Sequence, residues 1–62
     1  MTLIETDDYS GYLVEDIKYL LGPKYEDFAA WFNGQTGVVH EGKLLVYAWD
    51  WERWLRGLAA ND

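Results

Sequence analysis

Cysteine is absent from this 62-residue chain, histidine and proline occur once each, and lysine and arginine together number five. Each shortage excludes something. Without cysteine there are no disulfides, thiolate zinc sites or thiol nucleophiles. The single His40 cannot build a histidine-based metal cluster without help from carboxylates. Five cations fall short of the roughly six to ten phosphate contacts common in a tight duplex complex. No stretch approaches the roughly 20 consecutive apolar residues that span a bilayer as a helix. The opening MTLIETDDYS has neither a basic start nor an apolar run, so it does not read as a signal peptide. The expectation is a soluble, cytoplasmic protein.

Aromatic rings are what the chain has in plenty: four Trp, five Tyr and two Phe. Each removes about 150–250 Å² from water when buried, so few are needed to make a core. A domain near this size buries only about 60% of the surface its unfolded chain exposes. Its core then rarely supplies more than roughly 3–5 kcal/mol. With disulfides excluded, dense packing or self-association must make up the difference. Acids are also abundant, eleven of them giving a formal net charge of −6. Residues 1–27 hold seven acids against two lysines, while residues 28–62 hold four acids against three bases. The acidic half repels nucleic acid and anionic membranes alike.

Residues 1–10 read as an acidic arm, in which Leu3 and Ile4 could dock a short strand. From about Tyr12 the pattern is helical. Leu13, Ile17, Leu20 and Leu21 recur at i, i+4, i+7 and i+8, with Val14 beside them. Gly22-Pro23 stops that helix, because proline disfavours the α conformation in the residue before it. Pro23 also suits the first position of a second helix. There Tyr25, Phe28 and Phe32 form a stripe flanked by Trp31, with Asn33-Gly34 as its end.

Two aliphatic, β-branched runs then flank Glu41-Gly42 as a hairpin. With those two residues as the loop, Val39 faces Leu44, Val38 faces Leu45 and Thr36 faces Tyr47. Both faces carry apolar side chains, so the pattern does not say which is buried. Asp50 is the expected N-cap of a third helix, with Trp49 and Trp54 as a hydrophobic staple across it. Trp51, Trp54, Leu55 and Leu58 fall on one core-facing stripe, opposite Arg53 and Arg56. A single domain over residues 11–58, with a tail at 59–62, completes the reading.

Helix, tight turn, helix, hairpin, helix is the order of a minimal winged helix-turn-helix, an α+β architecture. VEDIKYLLG (Val14 to Gly22), with its acidic first turn and Leu-Leu-Gly ending, resembles the opening helix and turn of the excisionase and MerR-like winged-helix proteins. Phe28, Trp31 and Phe32 are similar to the apolar positions of that family's second helix. Gly42, Lys43, Asp50, Glu52, Trp54 and Leu55, within EGKLLVYAWDWERWL, resemble its wing and closing helix. WFNGQT is similar to a Trp-x-x-Gly-Gln-Thr element of small actinobacteriophage proteins, which implies a phage-encoded protein working in a bacterial host cell.

The departures bear on function. The family usually places Ser, Arg and Thr at the start of its second helix and further Arg along it. This chain has Lys24, Tyr25, Glu26 and Asp27 there, then Ala30 and Asn33, and Leu13 stands where the family has a capping threonine. Glu26, Ala30 and Asn33 share the outward face, the one a recognition helix offers to the major groove. That face holds a carboxylate and no cation.

Catalysis has little to stand on. Asp7-Asp8, Glu15-Asp16 and Glu26-Asp27 are adjacent pairs, and neighbours in sequence do not face each other on a helix. Gly34 and Gly37 read as a helix cap and the start of a strand, not as a phosphate loop. No enzyme, cofactor, metal or small-molecule substrate is expected, and stacking on single strands needs a basic groove that is not visible.

The leading expectation is protein–protein interaction through Glu26, Asp27, Ala30, Trp31, Asn33 and Trp51, with Trp31 and Trp51 partly exposed. The partner is a second copy, a host regulator or a nucleic-acid enzyme. One alternative is an excisionase-like DNA-binding regulator using Lys24, Asn33, Gln35, His40 and Lys43. Another is a structural oligomer module.

Overall fold

The computed structural model describes residues 1–33 and 35–61, the last four of them by backbone alone. Gly34 as a helix cap, the packing of Leu58 and the terminal Asp62 lie outside the described residues. The elements run β1 (Ile4–Glu5), β2 (Ser10–Leu13), α1 (Val14–Leu21), α2 (Tyr25–Phe32), β3 (Val38–His40), β4 (Lys43–Tyr47) and α3 (Ala48–Asn61). A single 3₁₀ turn, Gly22–Lys24, joins α1 to α2. The four strands form one antiparallel sheet in the order β1-β2-β4-β3. The α+β class is therefore as expected, and α3 runs on through the C-terminal tail to Asn61.

The acidic N-terminal residues dock a short strand as expected, through Ile4 and Glu5 with Leu3 left exposed outside it. Ile4 pairs with Gly11 and Glu5 with Ser10. Between them the Thr6 amide donates to the Tyr9 carbonyl at 2.8 Å, and the Thr6 hydroxyl oxygen accepts from the Asp8 and Tyr9 amides. Tyr12 and Leu13, expected in the first helical turn, instead extend β2 and pair with Val46 and Leu45. Backbone bonding decides this. Beside β4, residues 11–13 find partners for amides that a helix start leaves unpaired. Helix α1 thus begins at Val14 with no side-chain cap, supported by Glu15 and Asp16 in its positive first turn.

Gly11 is what allows β2 to lie so close to β4. A Cβ there would overlap the Val46 carbonyl oxygen and the Leu45 Cδ2. The open space above Gly11 is taken by the Leu45 side chain, which is fully buried although it points away from the main aromatic core. In register Leu45 sits between Leu13 and Val38. Over the same face the Tyr9 hydroxyl reaches across β4 to His40 Nδ1 at 2.7 Å. Val46, on the opposite face, is also fully buried and belongs to the core with Tyr12. Both faces of β4 are covered at Leu45 and Val46, while Lys43 and Leu44 nearer the turn are exposed, so alternation could not choose one face.

The core itself is Ile17, Phe28, Val46, Trp51 and Trp54, with Tyr12, Val14, Leu21, Tyr25, Trp31 and Phe32 packed around it. Three expectations are corrected here. Trp51, read as partly exposed, is only 7% exposed because its ring packs edge-on to Phe28 and Tyr12. Leu20 on α1 and Leu55 on α3 are exposed, because each helix is narrower in its contact than the full apolar stripe. Helix α3 begins at Ala48, so Asp50 lies inside the first turn instead of capping it. Trp49 therefore does not staple Trp54, which packs on Phe28 and Trp51. Trp49 stacks on Tyr47 instead, with centroids 4.4 Å apart and planes 10° from parallel.

The hairpin follows the expected register, Val38 with Leu45, Val39 with Leu44 and His40 with Lys43. Its loop carries positive φ at both Glu41 (51°) and Gly42 (80°), the type I′ geometry whose twist matches the flanking strands. Thr36 lies before the ladder and is not paired with Tyr47. Pro23 falls in the 3₁₀ turn, one step before α2 proper, since Gly22 at φ 56° ends α1 and the chain needs a tighter turn there.

Candidate functional site

An open cleft of about 230 Å³ lies at the junction of β4 and α3, lined by Gln35, Thr36, Tyr47, Trp49, Asp50 and Arg53. Its parts come from three places in the chain. The segment after α2 supplies Gln35 and Thr36, the end of β4 supplies Tyr47, and the first two turns of α3 supply the rest. Trp49 is 54% exposed, so its free face forms an aromatic wall backed by Tyr47.

Arg53 is held from two sides. Its Nη1 donates to Asp50 Oδ1 at 3.3 Å, one turn back on the helix. Its guanidinium also lies 6.0 Å from the centroid of the Trp31 ring, a contact worth about 0.5–1 kcal/mol at exposed sites. Asp50 is 4% exposed, and in the first turn of α3 its charge is further favoured by the helix dipole. More than half of the Arg53 side chain remains accessible. The sequence pattern put Arg53 on the outer face, and what it could not show is that the side chain folds back over Asp50 and Trp31.

The expected partner residues are spread unevenly around this cleft. Glu26, Asp27 and Ala30 are exposed on α2 and Asn33 just after its end, and Trp31 is half-buried against Arg53. Trp51 is closed off inside the core and offers a partner nothing. Of the residues expected at DNA, Gln35 reaches the cleft, at the Tyr47 end of β4. His40 and Lys43 are cross-strand partners at the other end, about 13 Å away along the strand. Lys24 sits in the α1–α2 turn. His40 is half-buried and engaged with Tyr9, not free beside its turn.

Tyr47, Trp49, Thr36 and Arg53 were not picked out as a site from the sequence. One signal did exist, the expectation that Thr36 faces Tyr47. The ladder stops short of that pair, yet both line the cleft.

No family model, curated protein or solved structure matches this chain. The functional reading therefore rests on the residues themselves. No helix among the described residues is long and apolar enough to cross a membrane.

Lys43 donates to Glu15 Oε1 at 2.8 Å, tying the hairpin to the first turn of α1. That bond, and then the attraction of the Glu15 charge, raises the Lys43 pKa above its ordinary value of 10.5. A cation with a raised folded-state pKa adds stability that is fully present below the ordinary lysine range. The contribution is lost as pH climbs through the raised value. Glu15→Gln is expected to return the Lys43 titration, followed by NMR of its side-chain carbon, towards 10.5. An unchanged titration would show that the pair does not persist in solution.

Proposed function

We propose that this chain is a small acidic accessory protein acting through protein contacts, with the Tyr47–Trp49–Arg53 cleft as its docking surface. The observation that carries the reading is convergence. Trp, Tyr and Arg are the residue types most enriched among interface hot spots, and here an exposed Trp, its stacked Tyr and a positioned Arg line one cleft. The exposed carboxylates Glu26, Asp27 and Glu52 lie on the two helices that carry Trp31 and Arg53. They favour a partner with a basic surface, whose encounter they would steer.

The helix pair, hairpin and closing helix supply a framework compatible with the winged helix-turn-helix resemblance, and a phage origin is part of the same proposal. What weighs against duplex binding is the state of the cations. Lys43 is paired with Glu15, Arg53 with Asp50 and Arg56 with Glu52. A phosphate would have to compete with a carboxylate for each of these three. Lys18 lies over the Tyr25 ring, and Lys24 stands apart from the hairpin turn.

The test compares Trp49→Ala and Arg53→Ala with Leu20→Ala, which alters an exposed apolar residue on α1, away from the cleft. Each is assayed for partner capture from host lysate and for binding to labelled duplex DNA at low and physiological salt. Both cleft variants are expected to lose at least about 2 kcal/mol, some 30-fold in affinity, while Leu20→Ala binds normally. Micromolar duplex binding that weakens steeply with salt, or capture indifferent to both cleft changes, would overturn the reading.

A further inference from the structure

We infer that the open edge of β3 is a self-association surface, on which a second copy of this chain adds its own β3 antiparallel to the first. The sheet order leaves β3 outermost. In a hairpin with a two-residue loop, the residues flanking the loop exchange both backbone bonds, and bonded pairs alternate with non-bonded ones along the ladder. His40–Lys43 and Val38–Leu45 are then the bonded pairs. The N–H and C=O of Val39 consequently aim away from β4, towards the open edge.

The side chains agree with the backbone. Val39 is 67% exposed and its cross-strand neighbour Leu44 45% exposed, an apolar pair next to outward backbone groups that have no partner among the described residues. Sheet edges in monomeric proteins are commonly guarded by very short strands, lysine, proline, a bulge or an inward charge, and β3, three residues long, has the first of these devices. Residues 38–40 carry no proline, lysine or carboxylate.

Charge selects the occupant. Two copies at −6 repel each other over most of their surfaces. Residues 28–49, however, contain one acid, Glu41, and one lysine, Lys43, so this stretch is formally neutral. The β3 edge lies within it, and the acids nearest its turn, Glu15 and Asp16 of α1 and Glu41, stand around Lys43, so the repulsion that a second copy meets is partly offset by that cation and screened by salt. A twofold axis at Val39 lets each Val39 exchange both backbone bonds with its mate and sets Val38 opposite His40. The two sheets then become one continuous antiparallel sheet, and a small core gains area that folding alone does not bury. This edge is separate from the Trp49–Arg53 cleft, so the inference stands or falls independently of the docking proposal.

Sedimentation equilibrium from low micromolar to millimolar protein tests it, together with hydrogen exchange at the Val39 amide. The expected result is a mass that rises to twice the monomer, a Val39 amide that exchanges more slowly as concentration rises, and tighter association at higher salt. Val39→Lys adds an edge guard, and Val39→Pro deletes the outward N–H without touching the β3–β4 bonds. Each is expected to weaken the dimer about tenfold or more, Val39→Lys by setting like charges across the twofold axis and Val39→Pro by losing the outward N–H bonds. Trp49→Ala should leave the dimer intact. A monomer at millimolar concentration, or a dimer unaffected by Val39→Lys with a Val39 amide indifferent to concentration, would overturn the inference. The amide measurement on the unaltered protein decides the matter should Val39→Pro fail to fold.

Discussion

Phe28→Ala is expected to abolish the cooperative thermal transition of this protein. The Phe28 ring is fully buried and touches five others: Tyr25, Trp31, Phe32, Trp51 and Trp54, with centroids 5.2 to 6.2 Å away. It is the point where α2 meets α3. Truncating a buried Phe to Ala costs about 3–5 kcal/mol in lost transfer energy and residual cavity. Aromatic pairs add about 0.5–1.5 kcal/mol each beyond area, so the upper part of that range applies. A domain this small holds roughly 3–5 kcal/mol in total. The variant should therefore show no sigmoidal melt by far-UV circular dichroism and red-shifted tryptophan emission at room temperature. Phe28→Leu, which keeps most of the volume, should still melt cooperatively at a lower temperature. A Phe28→Ala melt within a few degrees of the unaltered protein would show that the ring cluster is not what holds the helices to each other.

Gly11→Ala is the second large effect. The added methyl meets the Val46 carbonyl oxygen and carbonyl carbon as well as Leu45 Cδ2. Leu45 could turn aside, although it is fully buried and would have to leave its place over Gly11. The Val46 carbonyl cannot move without opening the β2–β4 pairing at Tyr12 and Val46. Overpacking of this kind costs about 1–3 kcal/mol, and a backbone obstacle places it at the upper end. At about 4–8 °C per kcal/mol for a small domain, the melting temperature should fall by about 10–20 °C. Gly57→Ala provides the contrast. Among the described residues, nothing beyond its chain neighbours and its own helix backbone lies within 4 Å of the added Cβ, so that change in α3 should stabilise by up to about 1 kcal/mol. Equal melting temperatures for the two alanine variants would show that β2 does not lie against β4 this closely in solution.

The site was less legible than the fold, and the reason lies in how each is encoded. The hairpin register could be read because a two-residue turn fixes every pair that follows it, as with Val39 and Leu44. The stripe of Phe28 and its neighbours could be read because helical spacing is a local property. Trp51 was misjudged because exposure depends on what comes to lie on a ring, and Phe28 and Tyr12 reach it from other elements. Arg53 lies on the outer face as its spacing implies, but its contact with Trp31 depends on the same kind of meeting between elements. Tyr12 and Leu13 satisfied the helical spacing and still became strand, because β4 offered their backbone a partner about 30 residues away.

The sequence by itself determined the α+β class, the absence of disulfide and thiolate chemistry, the acidic charge and its concentration in the first 27 residues, and the hairpin with its Glu41-Gly42 loop. These follow from composition and from periodicities spanning only a few residues. Only the tertiary structure decided that β1 and β2 complete the sheet, that Leu45 and Val46 are buried on opposite faces of β4, and that Thr36, Tyr47, Trp49 and Arg53 meet in one cleft. Those outcomes depend on backbone bonds and ring contacts between residues distant in the chain, and no local pattern records which distant partner will arrive.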